Sequence, residues 1–396
     1  MKYDVVVVGG GPAGSVTARF AAESGAKVLI VERRPEIGVP VFCGEGTSKR
    51  VVNLGIIEKG RWIVNEANGA RLFTPDGTMV KLSDEVAGAE TGYVIDRDLF
   101  DKELAGSAAR AGVEIQLKME AIDLLKEKEK IKGVKVKHFD EELTIEADIV
   151  VGADGVESRV GKWAGINTTL KPKDIVTCAE YTLTNVECET DYCDFYLGNI
   201  FAPGGYIWVF PKRKDIANVG IGISAHLSEP GLASRLLDRF IASHSEYAKG
   251  QPIRMRSGAA PVSIPIESVR DNLLLVGDAA RHTDPLTAGG IVHSLIGGKI
   301  AGEVIGEAVN KQKFDKETLS AYESGWKKAF GKKMRRNYIV KEVILSFDDK
   351  TLNKLADSLK DYKFEEFSTL SLVKALVLKH PMLLMKLKPL IKIADV

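Results

Sequence analysis

Three glycines near the start of the sequence have the spacing of a phosphate-binding loop: Gly9, Gly11 and Gly14 form the pattern G-x-G-x-x-G. In such a loop the first glycine permits a tight turn, the second admits a pyrophosphate, and the third lets a helix pack closely on a strand. The helix that begins there offers unpaired N–H groups and the positive end of its dipole to the phosphates. The alternative interpretation is an ordinary glycine-rich turn.

The elements that must position these glycines form one βαβ unit. Residues 3–8 are an apolar run interrupted only by Asp4, typical of a parallel strand that is buried on both faces. A helical pattern follows through Ala21, and residues 28–31 are a second apolar strand. Because this strand–loop–helix–strand order is the context that the glycine pattern requires, we predict a dinucleotide-binding unit.

Glu32 follows the second strand and stands 18 residues after Gly14. That is near the spacing at which a carboxylate accepts hydrogen bonds from the ribose hydroxyls of a dinucleotide. A carboxylate in this place repels a 2′-phosphate, which disfavours NADP, although the neighbouring Arg33 and Arg34 weaken this argument.

A second set of candidate residues lies late in the chain. An apolar strand at residues 272–276 delivers Asp278 at its carboxyl end, and Gly289 and Gly290 precede a helix that begins near Ile291. Two glycines at the start of a helix let the backbone approach a flat ring. The N-terminus of the helix then stabilises negative charge on such a ring.

Two segments resemble motifs of the aromatic-hydroxylase-like flavoproteins. Residues 275–280 resemble the second FAD motif, in which the aspartate binds the ribityl chain, and residues 152–155 resemble the "DG" motif. Together with the N-terminal glycines they stand in the order found in that superfamily. The resemblance therefore predicts FAD as the cofactor.

The composition is that of an ordinary globular protein of 396 residues, with 45% hydrophobic and 28% charged residues. The formal net charge of +1 gives no reason to expect binding to nucleic acid. Lys2 and Tyr3 lead into a strand without a signal-peptide pattern, so we expect a cytoplasmic, reducing setting. Cys188 and Cys193 are close enough to suggest a metal site or a disulfide. Because no second Cys/His pair accompanies them, we expect no metal.

The order of the predicted elements indicates an α/β protein. The chain leaves a Rossmann-like FAD-binding domain for an antiparallel β-sheet substrate domain and then returns to it. A strand is predicted at residues 206–210 and an inserted helix near residues 230–244. A helix at residues 96–111 is predicted to have one face made by Leu99, Phe100, Leu104 and Ala108. The predicted boundaries are 1–50, 96–165 and 265–310 for the FAD-binding domain, 51–95 and 166–264 for the substrate domain, and 311–396 for a helical C-terminal region.

The C-terminal stretch at residues 370–393 is rich in leucine and valine, with lysines at intervals. No apolar run approaches the length of about 20 residues that spans a bilayer. A basic amphipathic segment of this kind could lie on a membrane surface, and the alternative is a packed helical tail with solvated lysines. The lysines are Lys374, Lys379, Lys386, Lys388 and Lys392.

Two further segments narrow the resemblance to one family. Residues 40–46, which include Cys43 and Gly44, are similar to the Cys-Gly segment of the geranylgeranyl reductases, which lies near the flavin. Residues 206–211 resemble that family's Y-x-W-x-F-P signature, which lies on a strand lining the lipid cavity. The resemblance covers essentially the whole chain. It implies an FAD-dependent enzyme that hydrogenates the C=C bonds of isoprenoid chains.

The resemblance also assigns site residues position by position. The FAD contacts that it implies are Ala13, Glu32, Cys43, Gly44, Gly46, Arg97, Ala121, Asp278, Gly290 and Ile291, beside Gly9, Gly11, Gly14 and Gly289 of the two loops. The lipid contacts that it implies are Tyr206, Trp208 and Phe210, and without the family Trp208 and Phe210 would be interpreted as ordinary core aromatics. Ala288 stands where the family often has a glycine, which slightly narrows the approach to the flavin.

Three of these residues have simpler interpretations. Cys43 is either a small buried apolar residue or a group beside the flavin that contacts substrate or tunes the redox state. Arg97 could instead form a surface ion pair with the adjacent Asp96, and Ala121 offers a cofactor only its backbone.

The reaction that the resemblance implies needs a hydride and a proton. An isolated trialkyl alkene is electron-rich, so hydride delivery from reduced flavin to one carbon must be coupled to protonation of the other. Cys43 and an ordered water are the candidate proton donors. Archaeal members of the family act on digeranylgeranylglycerophospholipids in membrane ether-lipid biosynthesis, so an isoprenoid lipid substrate and peripheral contact with the inner face of the membrane are expected. Plant and bacterial relatives act on geranylgeranyl diphosphate or geranylgeranyl-chlorophyll.

Two other functions stay open. The same scaffold serves flavin monooxygenases and halogenases, but the W-x-W-x-I-P motif of the halogenases is absent from the sequence. A non-enzymatic binding protein would leave the motifs around the reactive ring without a role. Because the sequence has one G-x-G-x-x-G pattern and no separate nicotinamide-binding domain, the electron donor is expected to be ferredoxin, reduced deazaflavin or transiently bound NAD(P)H.

Overall fold

The computed structural model describes residues 2–83, 92–360 and 375–380. The strands are β1 Lys2–Val8, β2 Val28–Val31, β3 Gly46–Ser48, β4 Ile63–Glu66, β5 Gly69–Phe73, β6 Met79–Ser83, β7 Gly92–Ile95, β8 Glu114–Gln116, β9 Met119–Glu127, β10 Lys130–His138, β11 Glu141–Gly152, β12 Ile175–Thr184, β13 Tyr192–Leu197, β14 Tyr206–Arg213, β15 Ile216–Ser224, β16 Gln251–Pro261, β17 Val269–Arg270 and β18 Leu273–Leu275. The helices are α1 Pro12–Glu23, α2 Arg50–Asn53, α3 Arg97–Arg110, α4 Arg159–Trp163, α5 Leu232–Ser243, α6 Ser245–Ala248, α7 Ile291–Lys311, α8 Lys316–Leu319, α9 Ala321–Trp326, α10 Lys332–Ile344 and α11 Asp349–Leu359.

The first large sheet has eight strands, and its central strands are parallel. The order β17-β18-β11-β1-β2-β8 places β1 between β11 and β2, and the hairpin β9-β10 extends the sheet from β11. β1 and β2 are buried along almost their whole length, as expected of apolar strands with both faces covered. The predicted βαβ unit is therefore present as β1, α1 and β2.

Helices α1 and α7 cover one face of this sheet and pack closely on each other. Three glycines of α7, four residues apart, face α1. A Cβ at Gly302 would lie 2.5 Å from the Cβ of Phe20, and one at Gly306 would lie 2.2 Å from the Cβ of Ser24. The missing side chains thus permit the close approach of the two helices whose N-termini border the site.

The second large sheet has seven strands in the order β16-β12-β15-β14-β13-β5-β6. All neighbouring pairs are antiparallel except β13 and β5, which run parallel. Helix α5 covers one face with Leu237 and Phe240, and it lies where the sequence predicts an inserted helix. A third sheet, β3-β7-β4, contacts β14 of the second sheet through β4 and β7. The predicted fold class is confirmed: a Rossmann-like sheet, a mainly antiparallel second sheet and a helical C-terminal region.

One prediction for helix α3 is wrong. Phe100, Leu104 and Ala108 are buried at four-residue intervals, but Leu99 is 44% exposed. The buried face takes in Asp101 instead, because that carboxylate pairs with Arg97.

The segment from α9 to the start of α10 packs against the first sheet through Tyr322, Trp326, Phe330 and Met334, whereas α11 packs against β5 and β6 of the second sheet. The predicted amphipathic stretch at residues 370–393 lies outside the described residues apart from 375–380. In the described ranges, no helix combines the length and apolarity that crossing a membrane requires.

Candidate active site

Four strand ends bring the predicted cofactor motifs to one edge of the eight-stranded sheet. Val8 lies beside Val31 and beside Gly152, and Gly152 lies beside Leu275. Shortly after these ends come Gly9, Glu32, Asp154 and Asp278. In open α/β sheets, ligands bind outside the carboxyl ends of the strands, so this edge is the expected cofactor site.

The three glycines of the first loop have three different constraints. Gly9 has a φ of +109°, and a Cβ there would lie 2.5 Å from the carbonyl oxygen of Ala153. A Cβ at Gly14 would lie 2.0 Å from the carbonyl oxygen of Gly9. At Gly11, by contrast, a Cβ would meet no described atom within 4 Å. Gly9 and Gly14 therefore serve the fold, whereas Gly11 keeps a space open.

This contrast predicts different effects for two alanine substitutions. Gly11→Ala is expected to leave the free energy of unfolding of the apoprotein within about 1 kcal/mol of the wild type. It should weaken FAD binding at least ~100-fold, or about 3 kcal/mol, because the methyl group fills the phosphate space. Gly14→Ala should lose stability as well as FAD. Fluorescence titration of FAD and urea unfolding measure both; wild-type FAD affinity in Gly11→Ala would remove the phosphates from this loop.

Glu32 supports the glycine loop as well as facing the site. Its carboxylate accepts the N–H of Gly10 at 2.9 Å and the N–H of Arg34 at 3.0 Å. Each oxygen keeps a further lone pair, so the group can also accept from ribose hydroxyls. The N–H of Met119 donates to the carbonyl of Glu32 at 2.9 Å, which attaches β9 to this strand end. Ala121 is buried two residues further along β9.

Asp278 lies close to the N-termini of α1 and α7. The Thr283 hydroxyl donates to its Oδ1 at 2.6 Å. Burial raises the pKa of Asp278, against the opposing effects of Thr283 and Arg97. A Cβ at Gly290 would lie 3.2 Å from Asp278 Oδ1, so the glycine lets the start of α7 approach the aspartate.

The other predicted residues around this turn lie close by. A Cβ at Gly277 would lie 2.7 Å from the Cβ of Ala13, which puts the first turn of α1 next to Asp278. Ile291 is buried at the start of α7. Gly289 is exposed, and its N–H donates to the Thr287 hydroxyl at 3.3 Å.

The residues at this edge fit FAD. No described side chain caps α1 or α7, so their first N–H groups are available to a ligand. Asp154 Oδ1 is buried without a hydrogen-bond partner among the described residues, while its Oδ2 accepts the N–H of Val160 at 3.0 Å. The edge thus offers donors for phosphates, carboxylate acceptors for hydroxyls, and space at Gly11.

The loop before α7 is held from two sides. Asn337 of α10 donates to Asp284 Oδ2 at 2.7 Å, and the Tyr206 hydroxyl of β14 donates to the carbonyl of Thr287 at 2.5 Å. Ala288 has a φ of +54°, a left-handed conformation that costs an L-residue about 1–2 kcal/mol. The two attachments hold the loop in this shape, and the second joins it to the seven-stranded sheet.

Cys43 lies beside the guanidinium group of Arg97. The N–H of Glu45 donates to its Sγ at 3.3 Å. Burial raises the pKa of the Cys43 thiol, against the opposing attraction of Arg97. Arg97 is itself fixed by two hydrogen bonds to Asp101, of 2.7 and 2.9 Å. The alternative of a surface ion pair with Asp96 is wrong, because the Arg97 side chain is 13% exposed and Asp96 caps α3 instead.

Glu45, which the sequence analysis does not single out, is the centre of a buried charge cluster. Its side chain is fully buried, and its backbone has a φ of +69°. The carboxylate contacts Lys212 at 2.6 Å, Asn218 at 2.7 Å, Arg256 at 3.1 Å and the N–H of Arg97 at 3.0 Å. Although burial opposes it, Lys212 and Arg256 hold the pKa of Glu45 below its ordinary value. The sequence signal that could have identified Glu45 is a charged residue between two glycines, Gly44 and Gly46.

The aromatic side chains of β14 pack against the segment that contains Cys43. A Cβ at Gly44 would lie 2.9 Å from Trp208 Nε1, and one at Gly46 would lie 2.6 Å from Phe210 Cε2. Trp208 and Phe210 are 7% and 9% exposed, whereas Tyr206 is half-buried. The two glycines therefore let the predicted flavin segment lie directly on the aromatic face of the second sheet.

The cysteines and acidic residues show no sign of a metal site in the part of the chain that the structure describes. Cys43, Cys178, Cys188 and Cys193 are free. Among the described ranges, no group of three or more His, Cys, Asp or Glu side chains is arranged to hold a metal ion.

Comparison with known proteins identifies the family. Residues 174–260 match the geranylgeranyl reductase catalytic domain, and residues 4–209 match the FAD dependent oxidoreductase family. A digeranylgeranylglycerophospholipid reductase of Methanothrix thermoacetophila is 45% identical over 99% of this chain and 100% of its own length. The chain belongs to the geranylgeranyl reductase family. It is an FAD-dependent oxidoreductase.

Solved structures agree with this assignment. A geranylgeranyl bacteriochlorophyll reductase-like protein from Thermoplasma acidophilum has a TM-score of 0.93 and 42% identity, covering 98% of this chain and 99% of its own. The flavin-dependent brominase Bmp2 has a TM-score of 0.70 at 18% identity, over 96% of this chain and 100% of its own. That second likeness shows a common fold alone.

Proposed function

We propose that the chain is a reductase that hydrogenates the C=C bonds of geranylgeranyl chains on digeranylgeranylglycerophospholipids. The observation that carries the proposal is the position of the Cys43–Gly46 segment: Cys43 packs against the apolar cluster that contains Ile291 at the start of α7, and Gly44 and Gly46 lie against the aromatic face of β14. A thiol, the start of α7 and an aromatic wall are then neighbours, which is the arrangement that the reduction of an apolar alkene requires. The names of the full-length relatives support the same substrate.

The residues at the strand ends would hold FAD. Gly11 and the N-terminus of α1 would bind the pyrophosphate, and Glu32 would bind the ribose. Asp278 and the N-terminus of α7 would bind the ribityl chain and the ring. When bound and reduced, FAD would supply a hydride to the alkene. The protein contributes alignment, exclusion of water and a proton.

Cys43 is the proposed source of that proton. Burial raises the pKa of its thiol, so the group stays protonated at rest. The guanidinium of Arg97 and the N–H of Glu45 are in place to stabilise the thiolate after the proton leaves. A weak acid with a prepared anion site suits a proton transfer that is concerted with hydride delivery.

Replacing Cys43 tests this role. Cys43→Ala is expected to keep FAD bound and yellow but to lower turnover about 100-fold or more, the usual contribution of a positioned acid. Cys188→Ala is the matched control, since that free thiol is hydrogen-bonded to the carbonyl of Arg213 at 3.0 Å in another part of the second sheet. Anaerobic reoxidation of the reduced flavin by lipid gives the rate. Full activity in Cys43→Ala would leave an ordered water as the donor.

The aromatic face of β14 is proposed to contact the isoprenoid chain. Tyr206 is half-buried next to the loop before α7, and Trp208 and Phe210 continue the same face of the strand. Because alternate side chains of a strand share a face, the three form one apolar surface that runs from the ring site into the second sheet.

The identity of the reaction is tested by its product. With chemically reduced flavin and a geranylgeranylated glycerophospholipid, mass spectrometry should show a gain of about two mass units per double bond, from one hydride and one proton. Geranylgeranyl diphosphate in a parallel reaction distinguishes the phospholipid from the soluble alternative. A product that contains added oxygen would contradict the reductase and support a monooxygenase.

We further propose an external electron donor and peripheral membrane contact. The support for contact is the lipid substrate and the basic, apolar residues 370–393. Co-sedimentation with anionic and neutral vesicles measures it, and the absence of binding to both would contradict it. Ferredoxin, reduced deazaflavin and NAD(P)H can be compared by their rates of flavin reduction.

A further inference from the structure

The second sheet carries a carboxylate, Glu180, next to Trp208 of the aromatic face of β14. Glu180 of β12 and Trp208 of β14 both lie opposite Gly220 of β15. A Cβ at Gly220 would lie 2.3 Å from Trp208 Cζ2. Because the glycine has no side chain, the indole lies across the sheet, and its Nε1–H donates to Glu180 Oε2 at 2.8 Å.

Glu180 shares a cation with the Cys43–Gly46 segment. Arg256 of β16 donates from Nη1 to Glu180 Oε1 at 2.8 Å, and it donates to both oxygens of Glu45 at 3.1 Å. Glu45 has Lys212 as a second cation, at 2.6 Å. Trp208, Glu180, Arg256 and Glu45 are therefore one connected chain of buried contacts.

Among these connected side chains, the surrounding charges make Glu180 the residue that changes its protonation state. The groups that face it are Arg256 from β16, Glu45 from the Cys43–Gly46 segment with its partner Lys212, and Cys178 on its own strand. Burial, together with the negative charge of Glu45, raises the pKa of Glu180 to about 7, although Arg256 and Trp208 act in the opposite direction. Glu45 stays ionised, since Lys212 and Arg256 hold its pKa low.

A purely structural role does not account for a carboxylate here. Well-packed apolar residues of similar volume can often replace a buried ion pair without loss of stability. Titratable groups whose pKa values are shifted by burial together with a specific charged partner are typical of functional sites.

We propose that Glu180 is a positioning residue for the reduction: its carboxylate holds the Trp208 indole in the orientation that packs against the lipid chain. Protonation of Glu180 weakens this hold, because a neutral carboxyl group is a poorer acceptor than a carboxylate. The inference rests on the proposed function, in which Trp208 contacts the lipid. It makes lipid binding, rather than FAD binding, sensitive to pH near neutrality.

The first test needs no substrate. The chain contains four tryptophans, so protein labelled with 5-fluorotryptophan should give four fluorine NMR resonances, and Trp208→Phe identifies the one from Trp208. This resonance should shift with a midpoint near pH 7 in the wild type, following the pKa of Glu180, and should stay constant in Glu180→Gln. A resonance that is constant in the wild type, or that titrates equally in Glu180→Gln, overturns the proposal. The titration of the Trp208 resonance in the wild type tests the proposal even if Glu180→Gln does not fold.

The second test uses the lipid. A glutamine oxygen can accept from Arg256 or from Trp208, but its amide N–H then faces the other donor, so Glu180→Gln releases the indole. We expect KM for the lipid to rise about tenfold, equivalent to about 1.4 kcal/mol, with a smaller change in kcat. The wild-type kcat/KM should fall as the pH drops below 7, and the variant should lack this step.

Trp208→Phe is the matched control, because it removes the indole N–H and leaves the carboxylate. The double variant Glu180→Gln/Trp208→Phe should bind lipid no more weakly than Trp208→Phe alone. Additive effects, or an unchanged KM and pH profile in Glu180→Gln, would contradict the positioning role. A wild type that reduces no geranylgeranyl lipid would refute the proposed function, while the fluorine titration would still test the Glu180–Trp208 contact.

Discussion

Glu45→Gln is expected to lower the free energy of unfolding by about 3–5 kcal/mol, the usual cost of removing one partner from a buried ion pair. The substitution keeps the shape of the side chain but leaves the positive charges of Lys212 and Arg256 without their common counter-charge. The Cys43–Gly46 segment loses its attachment to the second sheet at the same time. FAD affinity should therefore fall together with stability. Urea unfolding and FAD titration at pH 7 measure the two effects.

Two controls separate charge balance from local geometry. In Glu45→Gln/Lys212→Met one excess positive charge is removed, so part of the lost stability should return. Glu103→Gln breaks an ion pair with Arg110 whose side chains are 53% and 66% exposed, and it should change stability by less than about 1 kcal/mol. If Glu45→Gln is as stable as the wild type, the cluster does not hold the segment in place.

Lowering the pH from 7 to 5 is expected to destabilise the protein through His282 by about 2 kcal/mol. This side chain is fully buried against Trp326 and Phe330, with ring centroids 4.8 and 5.1 Å away. Neither ring nitrogen has a hydrogen-bond partner among the residues that the structure describes. Burial, with a smaller effect of His293, lowers the pKa of His282 to about 3.

The sign of this effect follows from proton binding in the two states. Between about pH 3 and about pH 6.5 the unfolded chain binds a proton at His282 and the folded chain does not. Stability from this residue is therefore present above pH 6.5 and is lost as the pH falls, up to about 5 kcal/mol by pH 3. Protonation of His282 should therefore destabilise the turn that carries Asp278, because the backbone N–H of His282 donates to the carbonyl of Gly277 at 3.0 Å.

His282→Phe provides the test, because phenylalanine keeps an aromatic ring and does not titrate. The difference in stability between pH 7 and pH 5, from urea unfolding, should shrink by about 2 kcal/mol in this variant. His138→Gln, at the end of β10, should keep the wild-type difference. An unchanged pH dependence in His282→Phe would show that another group causes the acid sensitivity.

The N-terminal unit is predictable from sequence because its signals are local. The apolar runs of β1 and β2, the glycine spacing and Glu32 lie within one stretch of 32 residues. Each has a local physical explanation: burial on both faces, a tight turn, or a carboxylate that accepts hydrogen bonds beside the loop. The structure places all of them at one sheet edge, as this reasoning requires.

The charge cluster is not predictable in this way, because its contacts are distant in sequence. Glu45 is 173 residues from Asn218 and 211 from Arg256. Taken one at a time, Glu180 and Arg256 are charged residues in antiparallel strands, and such residues usually face solvent. Their burial depends on which face of the second sheet the Cys43–Gly46 segment covers, and no local pattern encodes that choice.

The order of the strands in the first sheet has a consequence for the timing of synthesis. The glycine loop follows β1, at the start of the chain, but Asp278 follows β18, close to residue 280. At about 5–20 residues per second, the ribosome completes the aspartate roughly 15–50 s after the loop. During this interval β11 has no β18 to pair with, and the proposed FAD site lacks one side. Flavin can therefore be captured securely only after residue 278 of the 396 has been made, which places cofactor loading in the last third of synthesis or later.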